Sequence, residues 1–227
     1  MQNTMPQSKH KTLLSWSSGK DSAWALHTLR QDPQIELAGL FCTVNQAFNR
    51  VAMHGVRVEL LQRQADRLGL PLQIIDIPYP CSNEQYAQVM SEFVTQARAA
   101  GVTHFAFGDL FLEDVRRYRE ERLQGTGISP IFPLWGSDTR ELSQTMVVAG
   151  LRSVLTCVDP KQLSKDFAGR IFDATLLRDL PADVDPCGEN GEFHSFAFDG
   201  PMFAQAVDFT LGETVARDGF VFTDLLL

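Results

Sequence analysis

Four times between residues 13 and 123, a short apolar run is followed by a stretch whose apolar residues recur at helical spacing. Residues 13–16, 36–44, 72–77 and 104–107 read as strands, and residues 22–30, 56–68, 83–100 and 113–123 as helices. Residues 45–53 read as a loop. The run 36–44 is apolar almost throughout, which suits a strand covered on both faces. Strands alternating with helices predict an α/β fold, a parallel sheet with helices on both sides. In such sheets ligands bind outside the carboxyl ends of the strands, where the strand order reverses.

The texture changes near Gly125, where glycine and proline become frequent. Residues 128–134 read as a fifth strand that Pro130 and Pro133 keep at an edge. A helix over 137–149 follows, capped by Ser137 or Asp138, with Glu141 placed for a capping box. Beyond it come a strand at 152–158, a helix at 166–177, a polar loop at 179–190 and closing strands at 193–198 and 207–210. The expected organisation is a disordered tail over 1–10, a first domain over 11–128 and a smaller C-terminal α+β domain over 129–227.

The chain has 227 residues, 44% of them hydrophobic, enough for a sizeable core. Acids exceed bases by 28 to 20, a net charge of −8, which argues against a broad nucleic-acid surface. Four scattered cysteines have no paired spacing, so reduced thiols in a cytoplasmic protein are expected rather than zinc or disulfides. No apolar run approaches membrane-spanning length.

The most informative stretch is Leu-Leu-Ser-Trp-Ser-Ser-Gly-Lys-Asp-Ser at residues 13–22. It reads as a strand, a tight loop and a helix start. The first turn of a helix has N–H groups with no internal partner and carries partial positive charge. Ser17, Ser18 and Gly19 leave those groups open to a phosphate. Lys20 adds a point charge, and the Ser17 and Ser22 hydroxyls add donors. Asp21 follows the lysine where a Walker A loop needs Ser or Thr, so this is not a P-loop NTPase. The motif instead resembles the pyrophosphate-binding loop (PP-loop) of the N-type ATP pyrophosphatases, usually Ser-Gly-Gly-x-Asp-Ser. The departure is Ser18 in place of glycine.

A second stretch, residues 183–196, gathers four carboxylates, a thiol and an imidazole within about a dozen positions. A solvated acidic loop and a functional site are both open readings, with Phe193 and Phe196 arguing against full solvation. His54 follows the second strand, and on the residues alone it is either a loop histidine or a site residue. Glu113–Arg117 and Arg116–Glu120 spacings suggest a self-paired solvated helix, although Arg117 or Arg119 can turn toward a substrate.

Taken together, the loop at 17–22, Gly108-Asp109-Leu110, the segment 127–135 and Cys-Gly-Glu-Asn-Gly-Glu-Phe-His at 187–194 resemble the diphthine–ammonia ligase family and its bacterial relatives, over roughly residues 11–200. The resemblance implies a Rossmann-like doubly wound parallel sheet, of the adenine nucleotide alpha hydrolase or HUP type, in the order 3-2-1-4-5. It implies adenylation of a carboxylate by ATP with release of AMP and pyrophosphate, then attack by ammonia to give an amide. On that reading Ser17, Ser18, Gly19, Lys20, Asp21, Ser22, His54, Gly108 and Asp109 bind ATP. Lys20, Asp21, Glu189, Glu192 and His194 are the catalytic candidates. Mg²⁺ is held mainly by phosphate oxygens, with Asp21 reaching it through a water. The implied partners are ammonia and a small-molecule or protein carboxylate, without membrane or nucleic acid, and a homodimer is allowed. The competing readings are a nucleotide-binding sensor module without turnover and a tRNA-modifying PP-loop enzyme, the latter disfavoured by net acidity and unpaired cysteines.

Overall fold

The computed structural model describes residues 9–51 and 54–227. In the first half, β1 (His10–Ser15), α1 (Lys20–Gln31), β2 (Ile35–Asn45), β3 (Arg50–Val51), α2 (Val58–Leu68) and β4 (Leu72–Ile77) come first. They are followed by α3 (Asn83–Ala99), β5 (His104–Ala106), α4 (Glu113–Leu123) and β6 (Ser129–Ile131). The parallel strands lie in the order β4-β2-β1-β5-β6, which is 3-2-1-4-5 when these strands alone are counted. The doubly wound sheet implied by the resemblance is therefore present. The order reverses between β1 and β5, whose carboxyl ends lie side by side.

The residues expected in a tail fall partly outside the described region. His10 already belongs to β1, pairing with Ile35 and donating its amide to the Gln34 carbonyl at 2.8 Å. The expected loop at 45–53 contains β3, which pairs antiparallel with Val44 and Asn45. The boundary expected between 128 and 129 falls just ahead of β6, a strand of the first sheet.

The second half contains α5 (Thr139–Val148), β7 (Arg152–Val158), a 3₁₀ turn at Lys165–Phe167, β8 (Ile171–Phe172) and α6 (Ala174–Asp179). Then come β9 (Phe193–Asp199), β10 (Thr210–Arg217) and β11 (Phe220–Leu226). The helix expected over 166–177 is thus broken into a turn, a strand and a shorter helix. Leu155 in β7 trades backbone hydrogen bonds with Gly169 and Arg170, pulling that stretch into the sheet. Asp173 then accepts from the amides of Thr175 and Leu176 and starts α6 afresh. The closing strand expected at 207–210 is replaced by the β10–β11 hairpin, joined through Asp218 and Gly219 at φ 54° and 86°. β7 is central: β9 runs along one edge, while β8 and β11 share the other, all antiparallel. Among the described residues no helix is long and apolar enough to cross a membrane.

One apolar cluster runs from Leu14, Leu26 and Leu61 through Val154 and Phe196 to Leu225, so α1 and α2 are covered by the second sheet. Another, with Leu13, Phe41, Phe93, Phe105 and Phe107, lies under α3 and α4 on the opposite face. Polar links also cross between the halves. The fully buried Gln64 accepts from the Trp16 indole at 2.8 Å and donates to the carbonyls of Ser18 and Ala197, at 2.9 and 2.6 Å. Asp224 of β11 accepts from Arg50 at 2.8 Å and from Arg57 at 2.7 Å.

Burial works to raise the Asp224 pKa, but the two guanidiniums outweigh it and hold the carboxyl well below the usual range. Its stabilisation is therefore present above the unfolded value of 3.8 and is lost as the pH falls through the depressed folded value. Asp224→Asn should cost about 1–2 kcal/mol at pH 7 and progressively less as the pH falls below 4, as read from urea midpoints between pH 7 and pH 2.

Candidate active site

A cleft of about 540 Å³ opens at the carboxyl ends of β1, β2 and β5. Its floor is made by Ser15–Ser17, Phe41–Thr43 and Phe107–Asp109, and the first turn of α1 points into it. The loop before α1 is fastened by its own hydroxyls. Ser17 Oγ accepts from the Gly19 amide at 3.3 Å, and Ser22 Oγ donates to the Gly19 carbonyl at 2.9 Å. Ser195 Oγ of β9 accepts from the Lys20 amide at 3.2 Å, and the Ala197 amide donates to Ser18 O at 2.9 Å. The amides of Asp21 and Ser22 have no acceptor within the helix.

Two glycines make this packing possible. A Cβ on Gly19 would lie 2.9 Å from the His54 ring, and one on Gly108 would lie 3.1 Å from the Asp21 carbonyl and the Ser22 amide. The end of β5 therefore rests directly on the first turn of α1. Ser18 departs from the usual glycine and takes φ 71°, the left-handed region. It is fully buried, and its hydroxyl has no hydrogen-bond partner among the described residues.

Lys20 was expected to offer its charge to a phosphate. It is 2% exposed, and its ammonium donates to both Asp21 oxygens, at 3.0 and 2.9 Å, and to the Cys187 carbonyl. The rings of Phe172 and Phe193 lie beneath it, at 5.6 and 5.2 Å. Burial alone would lower its pKa, but the surrounding negative groups, Asp21 first, raise it overall, so the ammonium stays charged. Its position ties the 187–189 loop to the first turn of α1.

That loop carries Glu189 into the cleft. Asp185 Oδ2 accepts from the Glu189 amide at 2.8 Å, and the Glu189 carboxylate accepts from the Leu110 amide at 2.8 Å, just past β5. Burial pushes the Glu189 pKa up to about 7; the Leu110 hydrogen bond opposes this, and the Asp21 and Asp109 carboxylates add to it. Glu192 turns the other way. It is 3% exposed and lies outside the cleft lining, and its Oε1 accepts from the Asp185 amide and the Asn190 side chain, at 3.0 and 3.1 Å. It braces the loop that Glu189 stands on.

Asp109 lies at the end of β5, in a bidentate pair with Arg119 at 2.6 and 3.0 Å. The Arg119 guanidinium also stacks over Phe107 at 4.3 Å. Across the cleft, the imidazoles of His54 and His194 lie 4.8 Å apart, and His54 Nδ1 is 3.0 Å from the Ser195 carbonyl. Burial drives both down, His54 to about 3 with help from His194, and His194 to about 4 with help from Lys20. Both rings are neutral at physiological pH.

The cleft thus brings together Ser17, Lys20, Asp21, Ser22, His54, Gly108, Asp109, Glu189 and His194. Ser18, Gly19 and Glu192 shape its walls from behind. Sequence reasoning passed over Asp185 and Ser195, which act through backbone amides and leave no side-chain pattern to read. The spacing of α4 marks Arg119 only as one of two arginines on a charged helix.

Residues 10–129 match the diphthamide synthase N-terminal domain, and residues 138–221 match the diphthamide synthase C-terminal domain. The chain belongs to the diphthamide synthase family. It is also similar to the diphthine–ammonia ligase of Schizosaccharomyces pombe, with 29% identity over 109 residues. That alignment covers 46% of this chain and 18% of the relative, so the chain spans under a fifth of its length. Both matched diphthamide synthase segments contribute to the cleft, the first with Asp21, His54 and Asp109 and the second with Glu189 and His194.

Ser18→Gly removes a left-handed non-glycine residue, a strain of about 1–2 kcal/mol, at the cost of some unfolded-state entropy. The variant should be more stable by about 1 kcal/mol, measured as a higher denaturant midpoint with an unchanged slope.

Proposed function

We propose that this chain is an AMP-forming carboxylate–ammonia ligase of the diphthine–ammonia ligase type, using ATP as a substrate. The observation that carries the reading is the meeting of the α1 amino terminus and Glu189 in one cleft, with Glu189 hydrogen-bonded to the Leu110 amide at 2.8 Å. The unpaired amides of Asp21 and Ser22 and the hydroxyl of Ser17 suit the β and γ phosphates of ATP. A carboxylate oxygen of the acceptor attacks the α-phosphorus, the bond to the bridging oxygen breaks, and pyrophosphate leaves. Donors at the α1 terminus stabilise the negative charge that grows on it. Ammonia then attacks the acyl carbon, and AMP leaves as the amide forms.

Ammonium must lose a proton before it can attack. Glu189, with a pKa near 7, is partly ionised at neutral pH and can take that proton. The neutral imidazoles of His54 and His194 add hydrogen-bond donors without adding charge. Among the described residues no cluster of three carboxylate, histidine or cysteine ligands exists, and the Asp21 carboxylate is already engaged by Lys20. That fits a Mg²⁺ ion carried mostly by phosphate oxygens and water, which neutralises phosphate charge when bound.

Incubation with ATP, ammonium and the right carboxylate should release AMP and pyrophosphate in equal amounts; ADP and phosphate would overturn the reading. Glu189→Gln should lower kcat by about 10²–10⁴-fold and abolish the rise in activity through about pH 7 expected of the wild type. Tight nucleotide binding with no turnover, indifferent to Glu189→Gln, would leave a sensor module instead.

A further inference from the structure

A second cavity, of about 360 Å³, lies on the α3–α4 face of the first sheet. It adjoins the cleft, and Tyr86, Met90, Phe107 and Arg119 line both. Tyr86 and Met90 stand near the start of α3. Arg98 stands near its end, about 18 Å along the axis from Tyr86 by helical rise. Arg122 stands one turn beyond Arg119 on α4, its guanidinium 5.2 Å from the Tyr118 ring. The cavity therefore has an aromatic body and a cationic far end.

That far end is uncommitted. Arg119 is held by Asp109, but among the described residues neither Arg98 nor Arg122 is in an ion pair. Gly127 keeps room for one of them: a Cβ there would fall 1.2 Å from the Arg98 guanidinium. Both side chains stand exposed in the last turn of their helices, and both line the aromatic cavity. ATP does not explain them. It has one anionic end, and in the reading above the α1 amino terminus takes it, leaving the neutral adenine for the rest of the cleft.

We propose that this cavity holds the body of the acceptor, and that the acceptor is a small ring-bearing carboxylic acid with a second anionic group. The ring packs among Tyr86, Met90 and Tyr118, the distal anion pairs with Arg98 and Arg122, and the reacting carboxyl faces the cleft past Arg119. This assignment rests on the ligase reading.

The full chain is titrated with 1-anilinonaphthalene-8-sulfonate, an anionic ring probe, and with uncharged N-phenyl-1-naphthylamine. Arg98→Ala/Arg122→Ala should weaken the sulfonate probe by about tenfold or more, while the neutral probe changes by no more than about twofold, which also reports an intact cavity. ATP with Mg²⁺ should not displace the sulfonate, and in turnover the sulfonate should raise the acceptor KM and leave the ATP KM alone. Equal loss of both probes, no loss of either, or displacement by ATP overturns the proposal. If the probe contrast holds but ATP yields no AMP with any acid and ammonium, the ligase reading falls and an anion-and-ring site without that role remains.

Discussion

A buried ammonium group must be answered by negative charge or by dipoles, since taking it out of water unpaired is costly. Lys20 meets that demand from both halves of the chain: Asp21 is its neighbour on α1, and the Cys187 carbonyl arrives from the loop after α6. The rings of Phe172 and Phe193 close the remaining sides. The geometry of the cleft follows from this one charge. With Cys187 fixed, Gly188 turns back against Phe193 and Glu189 is delivered over the end of β5.

Around that tie, the side chains divide their work. Asp185 and Glu192 stiffen the turn beneath Glu189, and Ser195 and Gln64 hold the backbone of the loop before α1. Pairing an exposed working group with a buried brace is what keeps a site in working geometry. It also explains how a strained Ser18 persists: its carbonyl is claimed from two directions, by Gln64 and by Ala197.

The first sheet was legible in the sequence because each buried strand is an apolar run and each helix keeps one apolar face. Its strand order came from the resemblance to a known family and not from the residues. The second half was harder. β10 is exposed along nearly all of its length, so no alternation marks it. The stretch at 165–179 looks helical by composition, but its middle is drawn into the sheet by hydrogen bonds to Leu155. Glu189 and Glu192 are the same residue type three positions apart. Which of them faces the cleft depends on the Gly188 turn and the Leu110 amide, and neither can be read from spacing. Arg119 looked like one more charge on a solvated helix until Asp109 was seen beside it.

The sandwiching of α1 between two sheets has a consequence for how such a chain can be divided. The first half alone would lose the Ser195 hydroxyl and the Ala197 amide from the very bend that presents its open donors, and one flank of α1 would be bare to water. The second half alone would leave bare the side of its sheet that covers α1 and α2. Neither is a cassette that can be transplanted by itself. Any longer protein that carries these segments has to keep both, joined by a spacer long enough for β9 to come back to the helix it supports.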